Sequence, residues 1–184
     1  MDIKDIKIDI YSEALDHAAT ENTRSAEAKA SKILLRRVFG EKATLAHDPD
    51  GRPSVEGVDF TGMISISHSH TTYRLAVTHN PDISIGIDVE TWREQLKRVA
   101  PKFLTVEEQN YYVSPQSLLL AWTTKEAVYK AARIPGLALK EITLPVPVPE
   151  SASFTATARG KEYAITSHFL SSCEAVTTAY TTLD

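Results

Sequence analysis

A chain of 184 residues, 42% of them hydrophobic, can bury a core, either as one domain or as two lobes of about ninety residues each. A single cysteine, Cys173, excludes an intramolecular disulfide, and no stretch reaches the roughly 18 apolar residues needed to cross a bilayer. With a net charge of −4 the chain has no overall basic field for nonspecific nucleic-acid binding, so any anionic ligand must be met by local cations.

Met1-Asp2-Ile3-Lys4-Asp5 lacks the basic-then-apolar layout of a signal peptide, and a soluble cytoplasmic protein is expected. Ile6, Ile8 and Ile10 alternate with charged residues and predict a first strand. From about Arg24 to Phe39 helix formers dominate, and Gly40 supplies a C-terminal cap. Arg24, Lys29, Lys32 and Arg36 lie along this helix, forming either a solvated face or a grip for a polyanion. Asp48-Pro49-Asp50-Gly51-Arg52-Pro53 reads as a turn-rich loop that holds Arg52 rigidly. Three apolar segments follow, Met63 to Ser67, Tyr73 to Thr78 and Ile83 to Val89, and their short connections suggest an antiparallel meander. Helical character returns through Gln95 to Ala100, Val106 to Tyr112 and about Gln116 to Arg133, where Pro135-Gly136 ends it. The last fifty or so residues read as strands: Ile142 to Val148, Phe154 to Ala158, Tyr163 to Phe169 and Ala175 to Thr182. This order predicts an α+β fold of two similar lobes, residues 1–90 and 91–184, with a site at their junction.

The chemistry concentrates in two motifs. In Gly86-Ile87-Asp88-Val89-Glu90 the strand period sends both acids out of the same face, where they repel each other. A Mg²⁺ ion, which takes carboxylate, phosphate and water oxygens at about 2.0–2.1 Å, would remove that penalty; ordinary acids at an exposed strand end are the competing reading. In Trp122-Thr123-Thr124-Lys125-Glu126-Ala127-Val128-Tyr129-Lys130, Glu126 and Lys130 stand four apart, as in a surface ion pair. Trp122, Glu126 and Lys130 share one stripe, however, while Leu118, Ala121, Val128 and Ala132 pack around the same helix. Lys125 points elsewhere, and Lys130 is placed to neutralise charge on a transferred group.

Ser67-His68-Ser69-His70 ends a strand with hydroxyls and imidazoles, either as phosphate contacts or as a polar strand end. Ser67, His68 and Asp88 suggest a hydrolytic triad, but the Gly-x-Ser-x-Gly elbow is missing. No P-loop, no Gly-x-Gly-x-x-Gly after a strand and no zinc-type Cys/His cluster is present.

Gly51-Arg52-Pro53, Ser67-His68-Ser69, Gly86-Ile87-Asp88-Val89-Glu90, Phe103-Leu104-Thr105-Val106-Glu107-Glu108 and Trp122-x-x-Lys125-Glu126-x-x-x-Lys130 occur in the order that the 4'-phosphopantetheinyl transferase superfamily shows. The chain most resembles the surfactin-synthetase-activating type, a pseudo-dimer of two lobes with the holo-acyl-carrier-protein-synthase-like fold and the active site at the lobe interface. The resemblance implies transfer of 4'-phosphopantetheine from coenzyme A to a serine of an apo acyl or peptidyl carrier protein, releasing adenosine 3',5'-bisphosphate. It implies Mg²⁺, or Mn²⁺ in its place, on Asp88, Glu90 and Glu126, with Glu126 also taking the serine proton directly or through water. Lys130 would stabilise the pyrophosphate, Ser67 and His68 would contact coenzyme A phosphates, and Arg52 would sit near the 3'-phosphate or adenine. Either Lys29 or Lys32 aligns with the phosphate-gripping helix position, and Glu108 would support the site rather than react. Two lobes in one chain imply a monomer, and from its charge and hydropathy the chain is expected to bind neither nucleic acid nor membrane. A noncatalytic coenzyme A or carrier-protein binding module of the same fold, and a general Mg²⁺-dependent phosphohydrolase, are the other readings.

Overall fold

The structure, a computed structural model, describes residues 6–15 and 22–183; the amino-terminal segment Met1–Asp5 read above lies outside them. Strand β1 (Asp9–Ala14) is followed by helix α1 (Thr23–Phe39), then by β2 (Thr44–His47), β3 (Pro53–Glu56), β4 (Met63–His68), β5 (Thr72–Thr78) and β6 (Ile83–Thr91). Helices α2 (Gln95–Phe103) and α3 (Pro115–Ala132) come next, and β7 (Ile142–Thr143), β8 (Ser153–Ala158), β9 (Lys161–Ser171) and β10 (Glu174–Thr182) close the chain. The mixed α+β class is as expected.

Both long helices carry their own boundaries. Asn22 caps α1 by accepting the Ser25 N–H at 2.9 Å, and Gly40, at φ 100°, closes it by donating its N–H to the Arg36 carbonyl. Ser114 and Ser117 form a reciprocal capping box at the start of α3, with Pro115 at the first helical position. The buried stripe of α1, including Ala26, Ala30, Leu34 and Leu35, packs with Ile64, Tyr73, Leu75 and Val77 of a three-stranded sheet ordered β1-β5-β4. Helix α3 packs through Ala127, Val128 and Ala131 with Ile165 and Ala179 of a five-stranded sheet ordered β6-β10-β9-β8-β7.

The expected meander is therefore only half present: β4 and β5 pair antiparallel, but β6 leaves them and pairs antiparallel with β10. Its partner lies far along the chain, beyond what local spacing can reveal. On the other edge of β6 the N–H groups of Ile87 and Val89 are taken by side chains, donating to Ser65 Oγ at 3.0 Å and Ser67 Oγ at 3.2 Å. Serines alternating with isoleucines on β4 thus seal a sheet edge that would otherwise leave unpaired backbone at the seam. By hydrogen bonding, β6 belongs with the strands of the C-terminal half, and the boundary expected at residue 90 falls at its end.

Other differences have local causes. The strand expected over Ile142 to Val148 stops after Thr143, because Pro145 and Pro147 carry no N–H for a ladder. The helix expected over Val106 to Tyr112 shrinks to a single turn at Glu108–Asn110, where Glu108 folds inward as a buried acid. Of the loop expected at Asp48–Pro53, Asp48–Arg52 form the turn of a β2–β3 hairpin and Pro53 opens β3, the four-residue strands being too short to announce themselves. The first strand begins at Asp9 rather than Ile6, while Ile6 and Ile8 still pack beside Ile83, Ile85, Ile87 and Val89.

Gly86 sets the spacing of α3 on the sheet. A Cβ there would collide with the Ala127 carbonyl oxygen and stand 2.8 Å from the Ala131 nitrogen, so the helix backbone rests directly on the strand. The neighbouring Ser84 hydroxyl donates to the Ala131 carbonyl at 2.7 Å. Gly86→Ala is expected to cost roughly 2–3 kcal/mol by forcing helix and strand apart; urea denaturation with an unchanged midpoint would show that α3 yields freely.

Candidate active site

Asp88, on the same strand face as Ser84 and Gly86, is 5% exposed. Its Oδ1 accepts the Ser67 hydroxyl at 2.9 Å and the Lys130 ammonium at 2.8 Å. Lys130 also donates to the carbonyls of Ile87 at 2.9 Å and Ile66 at 3.5 Å, so one cation ties α3 to both β6 and β4. Asp88 Oδ2 is buried with no hydrogen-bond partner. For an ionised oxygen that is a costly position unless something else satisfies it.

Glu90 and Glu126 complete the acidic group. Glu126 is held above the ordinary glutamate value of 4.5 by burial first and then by Asp88 and Glu90, with Lys130 opposing. Glu90 is likewise raised, by burial first and by Asp88, although Arg93 pulls it down through a 3.0 Å contact. The three carboxylates thus feel one another across the seam. Among the described residues, no three His, Cys, Asp or Glu side chains already stand together as a metal-holding group. The donor set nonetheless fits a hard divalent cation: three carboxylates, two of them reluctant to ionise side by side, and one buried oxygen without a partner.

The azimuth of Glu126 is fixed by its neighbour. Lys125 is fully buried and donates to Glu108 at 2.8 and 3.1 Å and to the Ile142 carbonyl at 2.6 Å. Glu108 is satisfied in turn by the N–H groups of Thr105 at 2.8 Å and Leu144 at 2.9 Å. Burial depresses the Lys125 ammonium while Glu108 supports it. Trp122 packs edge-on against Phe103 of α2, with centroids 5.0 Å apart.

Two adjoining cavities open nearby, one of them lined by Lys130, the partner of Asp88. One, of about 530 Å³, is lined by Arg24, Lys32, Arg36, His47, His68 and Tyr73. His68 stacks on Tyr73 at 6.3 Å and faces Glu27, with Nδ1 3.4 Å from its carboxylate. The second, of about 630 Å³, is lined by Arg52, Ser65, Tyr129, Lys130 and Arg133, and shares His47 and Ile66 with the first. Arg52 is presented by a tight turn in which Asp48 Oδ1 accepts the N–H groups of Asp50 at 3.0 Å and Arg52 at 2.8 Å. Of the two helix lysines, Lys32 lines a cavity while Lys29 is exposed and lines neither. Ser67 spends its hydroxyl proton on Asp88. His47 and Arg133 are cavity residues that sequence patterns do not single out; His47 ends a strand too short to be predicted, and Arg133 follows the last helical residue.

With this geometry in place, comparison with known families gives a class. The profile of the 4'-phosphopantetheinyl transferase superfamily matches residues 84–180, more than half of the chain, from β6 to β10. The chain belongs to the 4'-phosphopantetheinyl transferase superfamily, and is a transferase by class. That family takes coenzyme A as donor and carrier proteins as acceptors. No curated protein matches the chain. Among the described residues no helix is long and apolar enough to cross a membrane.

Folded Glu126 holds its proton to higher pH than it would in the unfolded chain, so its contribution to stability falls as pH rises from about 4.5 through the raised value and stays lost at neutrality. In buffer free of divalent cations, Glu126→Gln is expected to raise Tm by a few degrees near pH 7, with the gain vanishing below about pH 4. An equal change in Tm at both pH values would trace the effect to packing instead of charge.

Proposed function

We propose that the protein moves 4'-phosphopantetheine from coenzyme A onto a serine of an apo acyl or peptidyl carrier protein, as the surfactin-synthetase-activating type does. The observation that carries this reading is the buried, unpartnered Oδ2 of Asp88, which shares the electrostatics of Glu90 and Glu126 and whose partner Lys130 lines a cavity together with Arg52 and Arg133. The chain is read as two α+β lobes, residues 1–90 and 91–184, with the site along the β4–β6 seam and every named group from one chain, hence a monomer.

The carrier serine oxygen attacks the pantetheine-side phosphorus of the coenzyme A pyrophosphate. A serine oxygen–phosphorus bond forms as the bond to the bridging oxygen breaks, and that oxygen departs on adenosine 3',5'-bisphosphate. Such a transfer needs positioning and charge stabilisation more than covalent participation by the enzyme. Asp88, Glu90 and Glu126 would hold Mg²⁺, or Mn²⁺, which supplies charge neutralisation at the pyrophosphate. Lys130, already at the seam, stabilises pyrophosphate oxygens. Glu126 receives the serine proton, directly or through water; burial and the neighbouring Asp88 and Glu90 raise its affinity for a proton, which suits that role. His68, set beside Ser67, and Lys32 meet coenzyme A phosphates from one cavity, with Lys29 as the more remote cation, and Arg52 meets the adenosine end from the other. Ser67 orients Asp88 through its hydroxyl.

The test is the mass of an apo carrier protein incubated with coenzyme A and Mg²⁺. A gain of one phosphopantetheine, abolished by chelator and by Glu126→Gln, is expected. Absence of that gain on several carriers, despite measurable coenzyme A binding, would leave only a noncatalytic binding module. Lys130→Ala is expected to lower kcat by roughly 10²-fold while leaving the carrier's KM within a few fold. A change confined to KM would remove Lys130 from the charge-stabilising role.

A further inference from the structure

Ser65, Ser67 and Ser69 recur at every second residue along β4 and into the turn that follows it. The first two spend their oxygens on β6, accepting the N–H groups of Ile87 and Val89. One further step of the series would bring Ser69 to Thr91. Instead the Ser69 hydroxyl donates to Glu174 Oε1 at 2.5 Å, on the residue of β10 that pairs with Thr91. The Thr71 hydroxyl donates to the same oxygen at 2.8 Å. Ser69 is buried, and its Oγ also accepts the N–H groups of Thr71 at 3.2 Å and Thr72 at 3.3 Å, so one carboxylate oxygen holds the whole β4–β5 turn.

Glu174 is not a fourth acid of the cation site. Ala175 is the β10 residue opposite Glu90, and successive strand residues face opposite ways, so Glu174 lies on the other side of the sheet from Asp88 and Glu90. It shares that side with Val176, which packs with Ala76 of β5 and with Ile87 and Val89 of β6. Among the described residues no strand ladder joins β4 to β6, and the bonds that Ser65 and Ser67 accept from β6 are between neutral groups. A hydroxyl bonded to a carboxylate is shorter and roughly twice as strong as such a pair. The two on Glu174 close the end of the seam immediately after His68.

We infer that Glu174 is a positioning residue: by holding Ser69 and Thr71 it fixes the end of β4 against β6, and with it the place of His68 relative to Asp88 and Glu90. Glu174 itself touches no substrate. Its effect on a ligand rests on the function proposed above, in which His68 meets a phosphate of coenzyme A.

The experiment pairs amide hydrogen exchange with isothermal titration of the full chain by coenzyme A, for the wild type, Glu174→Ala, Glu174→Gln, His68→Ala and the double variant lacking both side chains. Glu174→Ala is expected to speed exchange of the Val89 amide by at least about tenfold and to weaken coenzyme A by about fivefold. Glu174→Gln keeps an acceptor oxygen and is expected to recover most of both. In the His68→Ala background, loss of Glu174 is expected to change the affinity by less than about twofold. A merely structural glutamate would weaken binding equally in both backgrounds. That result, or unchanged exchange at Val89 in Glu174→Ala, would overturn the positioning role. Should Glu174→Ala fail to fold, Thr71→Val removes one of the two donors at an exposed position; a loss of affinity of about threefold that vanishes in the His68→Ala background supports the role, and an equal loss in both overturns it. A wild type that does not bind coenzyme A, with Val89 still exchanging faster in Glu174→Ala, would overturn the transferase reading and leave the tie across the seam standing.

Discussion

The contact on which the site depends is the bare crossing of α3 over β6 at Gly86. Where a side chain would stand, the Ala127 carbonyl oxygen already rests, and Ser84 fastens the next turn of helix by bonding the Ala131 carbonyl. Helix and strand meet at backbone distance, closer than any side-chain-filled interface allows. That closeness brings Lys130 to hydrogen-bonding range of Asp88 and puts Glu126 within its electrostatic reach. The glycine of the Gly-Ile-Asp-Val-Glu motif is thus part of the site's geometry although it carries no functional group.

Distance alone does not set which way Glu126 points. Its predecessor Lys125 is driven inward and held by Glu108 and by the carbonyls of Leu139 and Ile142. Consecutive helical residues differ by about 100° around the axis, so fixing Lys125 in the core fixes Glu126 toward the seam. A buried ion pair is weak support for stability, since desolvation offsets most of its attraction. Here every acceptor of Glu108 is used, by Lys125, Thr105 and Leu144, and its value lies in allowing one rotation of α3 rather than several. Thr123, two residues earlier, adds to this from the sheet side by sharing a hydrogen bond with Thr177 at 2.8 Å, which in turn meets Ser167 at 2.9 Å.

Local sequence pattern is sufficient where an element carries its own start and stop. Both long helices do, through Asn22 and Gly40 and through Ser114, Pro115 and Ser117, and their expected ranges agree with the structure to within a residue or two. The acids were legible as a pair on one strand face for the same reason, because the period of two is local. Pattern is insufficient where pairing is remote: nothing near β6 announces β10, and the role of Ser65 and Ser67 as substitutes for a neighbouring strand appears only once β4 lies alongside. Arg133 is illegible as a cavity residue because its place depends on where α3 ends and on Arg52, eighty-one positions earlier, lining the same cavity.

The two oxygens of Asp88 are not equivalent, and the difference bears on how one residue serves two purposes. Oδ1 is committed to the Ser67 hydroxyl and the Lys130 ammonium, which fix the carboxylate plane and offset part of its charge. Oδ2 is equally buried and faces no donor. A carboxylate built only as a structural partner for Lys130 would gain by turning both oxygens to donors, since the serine and the lysine together offer enough protons. Keeping one oxygen bare costs desolvation energy that nothing in the ligand-free chain returns. Such a cost is rational when the missing partner is a cation that arrives with the substrate: Lys130 then need not be displaced from Oδ1, and the same ammonium remains at the seam, between Ile66 and Ile87, to meet a phosphate. The pairing of Asp88 with Lys130 and the proposed hold of Asp88 on a cation are for that reason complementary rather than competing.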